Sequence, residues 1–189
     1  MEQLFPGFYC WQGQYRPGRE VYSAWIEGEN ENVLIDPFTP EEGLSRFSHP
    51  SKAIIVLLTT ANHERDAYSI KLGLRAEIWA PEAALHEMDM MPDRVYSGDE
   101  DLPCGIQALH LEGSHSDGET ALLVPRGPGV LVIGDGLVTH PNAPWRVFVP
   151  HERAALQPLK DLAFDAIVTS HGAPVLSGGA AGLRAFLEA

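Results

Sequence analysis

"AIIVLLTTANHERDAYSI", residues 53–70, is the stretch on which the reading of this chain turns. Its opening run, "AIIVLLT", is continuously apolar and rich in branched side chains, the pattern of a central strand covered on both faces. Polarity then changes abruptly. Thr59 or Thr60 is placed to cap a helix from roughly Glu64 to Leu72, and Gly73 is placed to stop it. A greasy strand that runs into Asn62, His63, Glu64, Arg65 and Asp66 has the outline of a sheet edge delivering ligands to a metal ion, yet it holds a single histidine.

On the amino-terminal side, Val21–Ile26 and Val33–Ile35 flank the polar turn "EGENEN", so the first third reads as antiparallel strands with hairpin chemistry. "PEEGLSRFS" after Asp36 and Pro37 predicts a short helix. On the carboxyl side, "AEIWAP" predicts a strand and "PEAALHEMDMM" a helix starting at Pro81, the alternation of layered α/β folds. Strand signals return in "GIQALHLEG", "ETALLVP" and "GVLVIGD", the last two joined by the turn "RGPG". The strand "FDAIVTS" and the amphipathic helix "GGAAGLRAFLEA" close the chain. No repeat, linker or shift in composition divides the 189 residues, so residues 1–189 are expected to form a single domain.

The composition, 44% hydrophobic and 21% charged, is that of a self-folding globular chain. A formal charge of −13, from 26 acidic against 13 basic side chains, disfavours nucleic acid and anionic lipid as partners. The densest acidic runs, Glu27 to Glu31 and Asp99 to Asp101, read as solvated turns. Cys10 and Cys104 form no CxxC pair, so a reduced, cytoplasmic setting is expected. "MEQLFPGFYC" lacks the signature of an export signal, and no window approaches the roughly 18 apolar residues of a membrane span. GxGxxG, GxxxxGK[ST] and GxSxG motifs are all missing, which sets nucleotide binding and serine hydrolysis aside.

Chemistry-bearing residues recur where apolar strands end. Asn62, His63, Glu64 and Asp66 follow "IIVLLTT", His115 follows "ALHLEGS", Asp135 follows "VLVIG", and His171 follows "AIVTS". Strand ends in a layered α/β fold converge on one edge, so ligands distant in sequence can meet there. His49, His86, His110 and His151 are read as surface or packing residues, and His140 in "GLVTHPNAPW" as a loop residue. Trp11, Trp25 and Trp145 are expected to pack rather than to line a cleft.

This arrangement resembles the metallo-β-lactamase superfamily over most of the chain. "NVLIDPF" matches the family's early aspartate at Asp36, "GSHSDGETALL" its Gly-x-His-x-x-Gly turn at His115, "LVIGDGLV" its Gly-Asp at Asp135, and "IVTSHGAP" its last histidine at His171. The His-x-His-x-Asp-His loop is altered: with Asp66 on the family aspartate, Asn62, Glu64 and Ala67 stand where histidines would be, and His63 and Arg65 occupy the intervening positions. The resemblance implies an α+β fold of four αββα layers, two mixed sheets between outer helices, and a metal-dependent hydrolase of a small ester, thioester, amide or phosphoester. It implies a metal set of His115, Asp135, His171 and Asp66, with Asp66 also catalytic in orienting the nucleophile; Glu64, which replaces a motif histidine, is read from that substitution as a further oxygen ligand to the metal or, instead, as a catalytic general base.

Loss of imidazoles argues against a full dinuclear zinc pair and leaves room for one divalent ion, zinc, manganese or iron. If Glu64, Asp66 and Asp135 converge, something cationic must compensate them. A metal does so; so does Arg65 or an imidazolium, giving a metal-free, ion-paired member whose cleft binds a small molecule or a protein partner without catalysis. Both readings stay open on sequence.

Overall fold

A computed structural model describes residues 1–16, 19–98, 100–140 and 143–189. Among these described residues twelve strands form two sheets. The first carries β1 (Glu2–Phe5), β2 (Phe8–Arg16), β3 (Arg19–Glu27), β4 (Glu31–Ile35), β5 (Ala53–Leu57), β6 (Glu77–Pro81) and β7 (Arg94–Tyr96) in chain order. The hairpins from β1 to β4 are antiparallel, whereas β4 to β7 pair in parallel. The second holds β8 (Asp101–Leu102), β9 (Ile106–His110), β10 (Thr120–Val124), β11 (Val130–Val138) and β12 (Ala166–His171) in the order β12-β11-β10-β9-β8, with only β11 and β12 parallel.

Burial makes these strands. Ile54, Ile55, Val56 and Leu57 of β5 are all buried, as a continuous apolar run requires, while β9 alternates Ile106 and Ala108 inward with Gln107 outward. Phe8, Ile26, Val33, Leu57, Leu122, Val132 and Val168 belong to the core shared by the two sheets. Helix α1 (Ala67–Leu74) places Ala67 and Ile70 in a second apolar cluster on the far side of the first sheet. Helix α2 (Gly179–Glu188) and the 3-10 segment Pro150–Asp161 place Leu183, Leu156 and Leu159 on the far side of the second. Helix, sheet, sheet, helix is the expected αββα order.

Local details differ. The helix of the opening stretch is split into a 3-10 turn, Ala61–His63, capped by Thr60, and α1, which runs through Gly73 and ends on Arg75 in the left-handed region. The residues after Pro81 and around Arg46 form only short 3-10 turns. Asp101 opens β8 instead of sitting in a turn, and Asp99 lies outside the described residues. No helix among the described residues is long and apolar enough to cross a membrane.

Leu57→Ala, at a side chain with no exposed surface, is expected to cost about 2–5 kcal/mol in urea unfolding. Leu72→Ala, at a side chain 65% exposed on α1, should change stability by less than about 0.5 kcal/mol. Equal losses would contradict the layer assignment.

Candidate functional site

The site is built from the ends of β4, β5 and β12 and from a break in β11. Asp36 directly follows β4 in a positive-φ conformation, φ 45°. Its carboxylate accepts from the Thr59 N–H (2.8 Å) and hydroxyl (2.6 Å) and faces His63 Nδ1 at 2.9 Å. Those contacts turn the opposite ring nitrogen, His63 Nε2, to 3.2 Å from Asp135 Oδ1. His171 Nε2 reaches the same oxygen at 2.9 Å from the end of β12. Asn62 donates to the other oxygen, Oδ2, at 3.3 Å.

Asp135 lies within β11, not at its end. The parallel ladder with β12 is in register to Ile133 and resumes at Val138, so the interruption falls around the aspartate. Irregular pairing of this kind re-aims a side chain beside a functional site. Gly172 follows His171 at φ 125°, where a Cβ would collide with the Thr139 carbonyl oxygen; only glycine lets the chain turn so tightly after the histidine. Gly118, ending the turn that carries His115, is needed for another reason: a side chain there would strike the Ala84 backbone.

His63, Asp135 and His171 bring one ligand atom each within 4.8 Å of one another, the geometry of a metal-binding group. They line a cavity of about 250 Å³ together with Asn62, Arg65, His115, Val21, Phe38 and Phe148. His115 belongs to the cavity but not to the three-residue group. Its Nδ1 pairs with Glu152 Oε1 at 3.0 Å, and the Phe148 ring packs on both His115 (4.7 Å) and His171 (5.7 Å). The other predicted residues face elsewhere. Both Glu64 oxygens accept backbone N–H groups, from Asp89 (2.6 Å) and Met90 (3.0 Å), and Asp66 Oδ2 accepts from Thr39 N (2.7 Å).

The loop is thus placed the opposite way from the register expected. His63 enters the site from an intervening position, while Asp66 and Glu64 fasten the loop to the chain around it. The cause is local: the 3-10 turn after Thr60 and the positive φ of Arg65 (40°) rotate the loop so that His63 meets Asp36. Trp11 and Trp25 pack behind the first sheet and Trp145 behind the second, as expected, and the apolar walls come from Val21, Phe38 and Phe148 instead. His140 is exposed and does not line the cavity; its neighbours Pro141 and Asn142 lie outside the described residues. Another group of three potential ligands, His86, Glu87 and Asp117, is fully on the surface.

Electrostatics follow the geometry. Burial and the Arg65 guanidinium oppose a charge on His63, but the Asp36 and Asp135 carboxylates outweigh them and raise its pKa. Burial likewise opposes the charge on Asp135, and hydrogen bonds from His171 and His63 overcome it, holding the carboxyl below the usual range. Glu119, fully buried behind the site, goes the other way. Desolvation pushes it up to about 7 against the Ser114 hydroxyl (2.5 Å) and the Gly136 N–H (2.6 Å), which pull it down.

A family model described as the metallo-beta-lactamase superfamily matches residues 1–164. Among solved structures, a metallo beta lactamase from Hirschia baltica superposes with TM-score 0.75 and 16% identity, over 99% of this chain and 95% of that one. A metallo-beta-lactamase family protein from Thermus thermophilus gives TM-score 0.69 at 17% identity over 98% and 80%. The class B3 di-zinc metallo-beta-lactamase LRA-12, from an Alaskan soil metagenome, gives 0.65 at 16% over 89% and 84%. No curated protein matches the chain in sequence. At these identities the structural likeness establishes the fold.

Because Glu119 holds its proton to a higher pH when folded than the usual 4.5, its contribution to stability is complete below that pH and is lost as pH rises to about 7. Wild-type protein should therefore lose stability across this window, by an amount on the order of 3 kcal/mol from this group. Glu119→Gln should flatten the profile in urea unfolding at a series of pH values; an unchanged slope would show that Glu119 is not the group responsible.

Proposed function

Since the chain belongs to the metallo-beta-lactamase superfamily, we propose that it is a hydrolase of a small ester, thioester, amide or phosphoester, using one divalent metal ion held by His63, Asp135 and His171. The observation that carries this reading is Asp135 Oδ1 standing 3.2 Å and 2.9 Å from two imidazole Nε2 atoms at the wall of a cavity of about 250 Å³. Two imidazoles and one carboxylate suit zinc, manganese or iron and leave positions open for water and substrate. Asp36 behind His63 Nδ1 is the outer partner such a ligand needs, because it orients the ring and keeps Nε2 available. Glu64 and Asp66 are committed to backbone N–H groups and Ala67 has no donor, which favours one ion over two.

A divalent ion bound there supplies a Lewis acid and acidifies a water toward neutral pH. The chain's own groups supply the rest. Glu152, buried and fixed by the Val149 N–H at 2.9 Å, anchors His115 Nδ1, so that His115 Nε2 can carry a proton to or from the reacting group. Asn62 steadies Asp135 through its amide. Phe38, Phe148 and Val21 give the cavity walls that exclude water from an apolar portion of the substrate.

One observation favours a second reading. Both ring nitrogens of His63 face carboxylates, so an imidazolium there together with the Arg65 guanidinium balances Asp36 and Asp135 without a metal, in a cleft that binds a small molecule but performs no hydrolysis.

Zinc titration with metal analysis separates the two. The metal reading predicts one equivalent in wild type, loss of zinc in both His63→Ala and His171→Ala, and about 10–100-fold weaker binding in Asp36→Asn. Hydrolysis of p-nitrophenyl acetate or bis(p-nitrophenyl) phosphate should disappear along with the metal. A protein that binds no zinc, with stability unchanged by added metal, would support the second reading instead.

A further inference from the structure

We infer that Arg65 recognises a negative charge on the substrate, so that the molecule hydrolysed carries a carboxylate or phosphate group on a largely apolar body; this deepens the metal-site reading above and rests on it. Arg65 is partly buried and lines the cavity. Its guanidinium is held in place by neutral acceptors: Nη1 donates to the carbonyl oxygens of Tyr22 (2.9 Å) and Asp36 (2.6 Å), and Nη2 donates to Ser170 Oγ at 3.2 Å. The Phe38 ring lies 4.8 Å from Cζ and covers one face. Arg65 makes no salt bridge among the described residues, although carboxylates stand nearby. The Asp36 carboxylate is taken by Thr59 and His63, and that of Asp135 by His63, His171 and Asn62.

Three hydrogen bonds to neutral oxygens fix the side chain, and the Asp36, Asp135 and Asp66 carboxylates act on its charge without any of them forming a salt bridge with it among the described residues. A guanidinium has five N–H donors in a rigid fork suited to carboxylate and phosphate, so donors remain for a ligand in the cavity. The backbone of Arg65 is held at φ 40°, a conformation rare for a residue with a side chain and retained where surroundings enforce it, often at ligand sites. Phe38 and Phe148 on the same wall suit an apolar or aromatic body attached to the charge.

Isothermal titration of the zinc-loaded protein with benzoate, and with benzamide as its neutral counterpart, tests this. Benzoate is expected to bind at one site at least about tenfold more tightly than benzamide, Arg65→Gln to lose about tenfold or more in benzoate affinity with benzamide unaffected, and Arg65→Lys to fall between. Benzoate binding no tighter than benzamide in wild type, or equal benzoate affinity in Arg65→Gln, would overturn the inference. So would benzoate binding lost in His171→Ala yet intact in Arg65→Gln, since the metal alone would then hold the carboxylate. If Arg65→Gln does not fold, the arginine side-chain N–H resonances of wild type decide: benzoate but not benzamide should shift one signal, the one missing in Arg65→Lys, and no shift refutes the assignment. Zinc stoichiometry in the same samples reports separately on the metal site.

Discussion

The pairing of Asp36 with His63 is the constraint around which the rest of the site is arranged. A carboxylate with 2% of its residue surface exposed is tolerable only with its oxygens well partnered, and Asp36 finds those partners in the loop after β5, from Thr59 and His63. Its backbone carbonyl takes two more donors, the Ser23 hydroxyl and Arg65. One residue therefore joins the end of β4 to the loop beyond β5, fixes the rotation of the His63 ring, and helps seat the guanidinium beside it. Placing His63 Nε2 toward the second sheet follows from satisfying a buried charge in the first.

The second sheet and the 3-10 segment packed on it answer with one carboxylate each. Asp135 meets His63 and His171 at the interrupted stretch of β11, and Glu152 orients His115 on the other side of Phe148. Two histidines, His63 and His115, thus approach one cavity, each with Nδ1 held by a buried acid and Nε2 left for chemistry. On that division of labour rest both the proposed metal site and the proposed proton carrier. It does so without the histidine-rich loop that the superfamily resemblance would supply.

Much of the fold is legible in the sequence because burial periodicity writes it there. The apolar runs at β5, β11 and β12, the alternation in β9 and the polar turns between strands lead directly to two mixed sheets between helices. Asp135, His171 and His115 are legible too, since each follows a strand-like run and all three line the same cavity. His63 is harder to read. Six residues of loop admit more than one register, and the choice is made by a contact with Asp36, 27 positions away, and by a positive φ at Arg65 that nothing in its residue type announces. Glu152 and Phe148 carry no local signal at all, because their meaning lies in what the 3-10 segment Pro150–Asp161 is packed against. The cap at Thr60 is the one nearby hint, for it starts the turn that swings His63 inward.

Anomalous diffraction at the zinc edge, from crystals grown with the metal, tests the central claim most directly. The account predicts a single peak contacted by His63 Nε2, His171 Nε2 and an Asp135 carboxylate oxygen, with Asp36 still on His63 Nδ1. A peak bound by Glu64 or Asp66, or His63 turned away from Asp135 with the metal held by other residues, would contradict it.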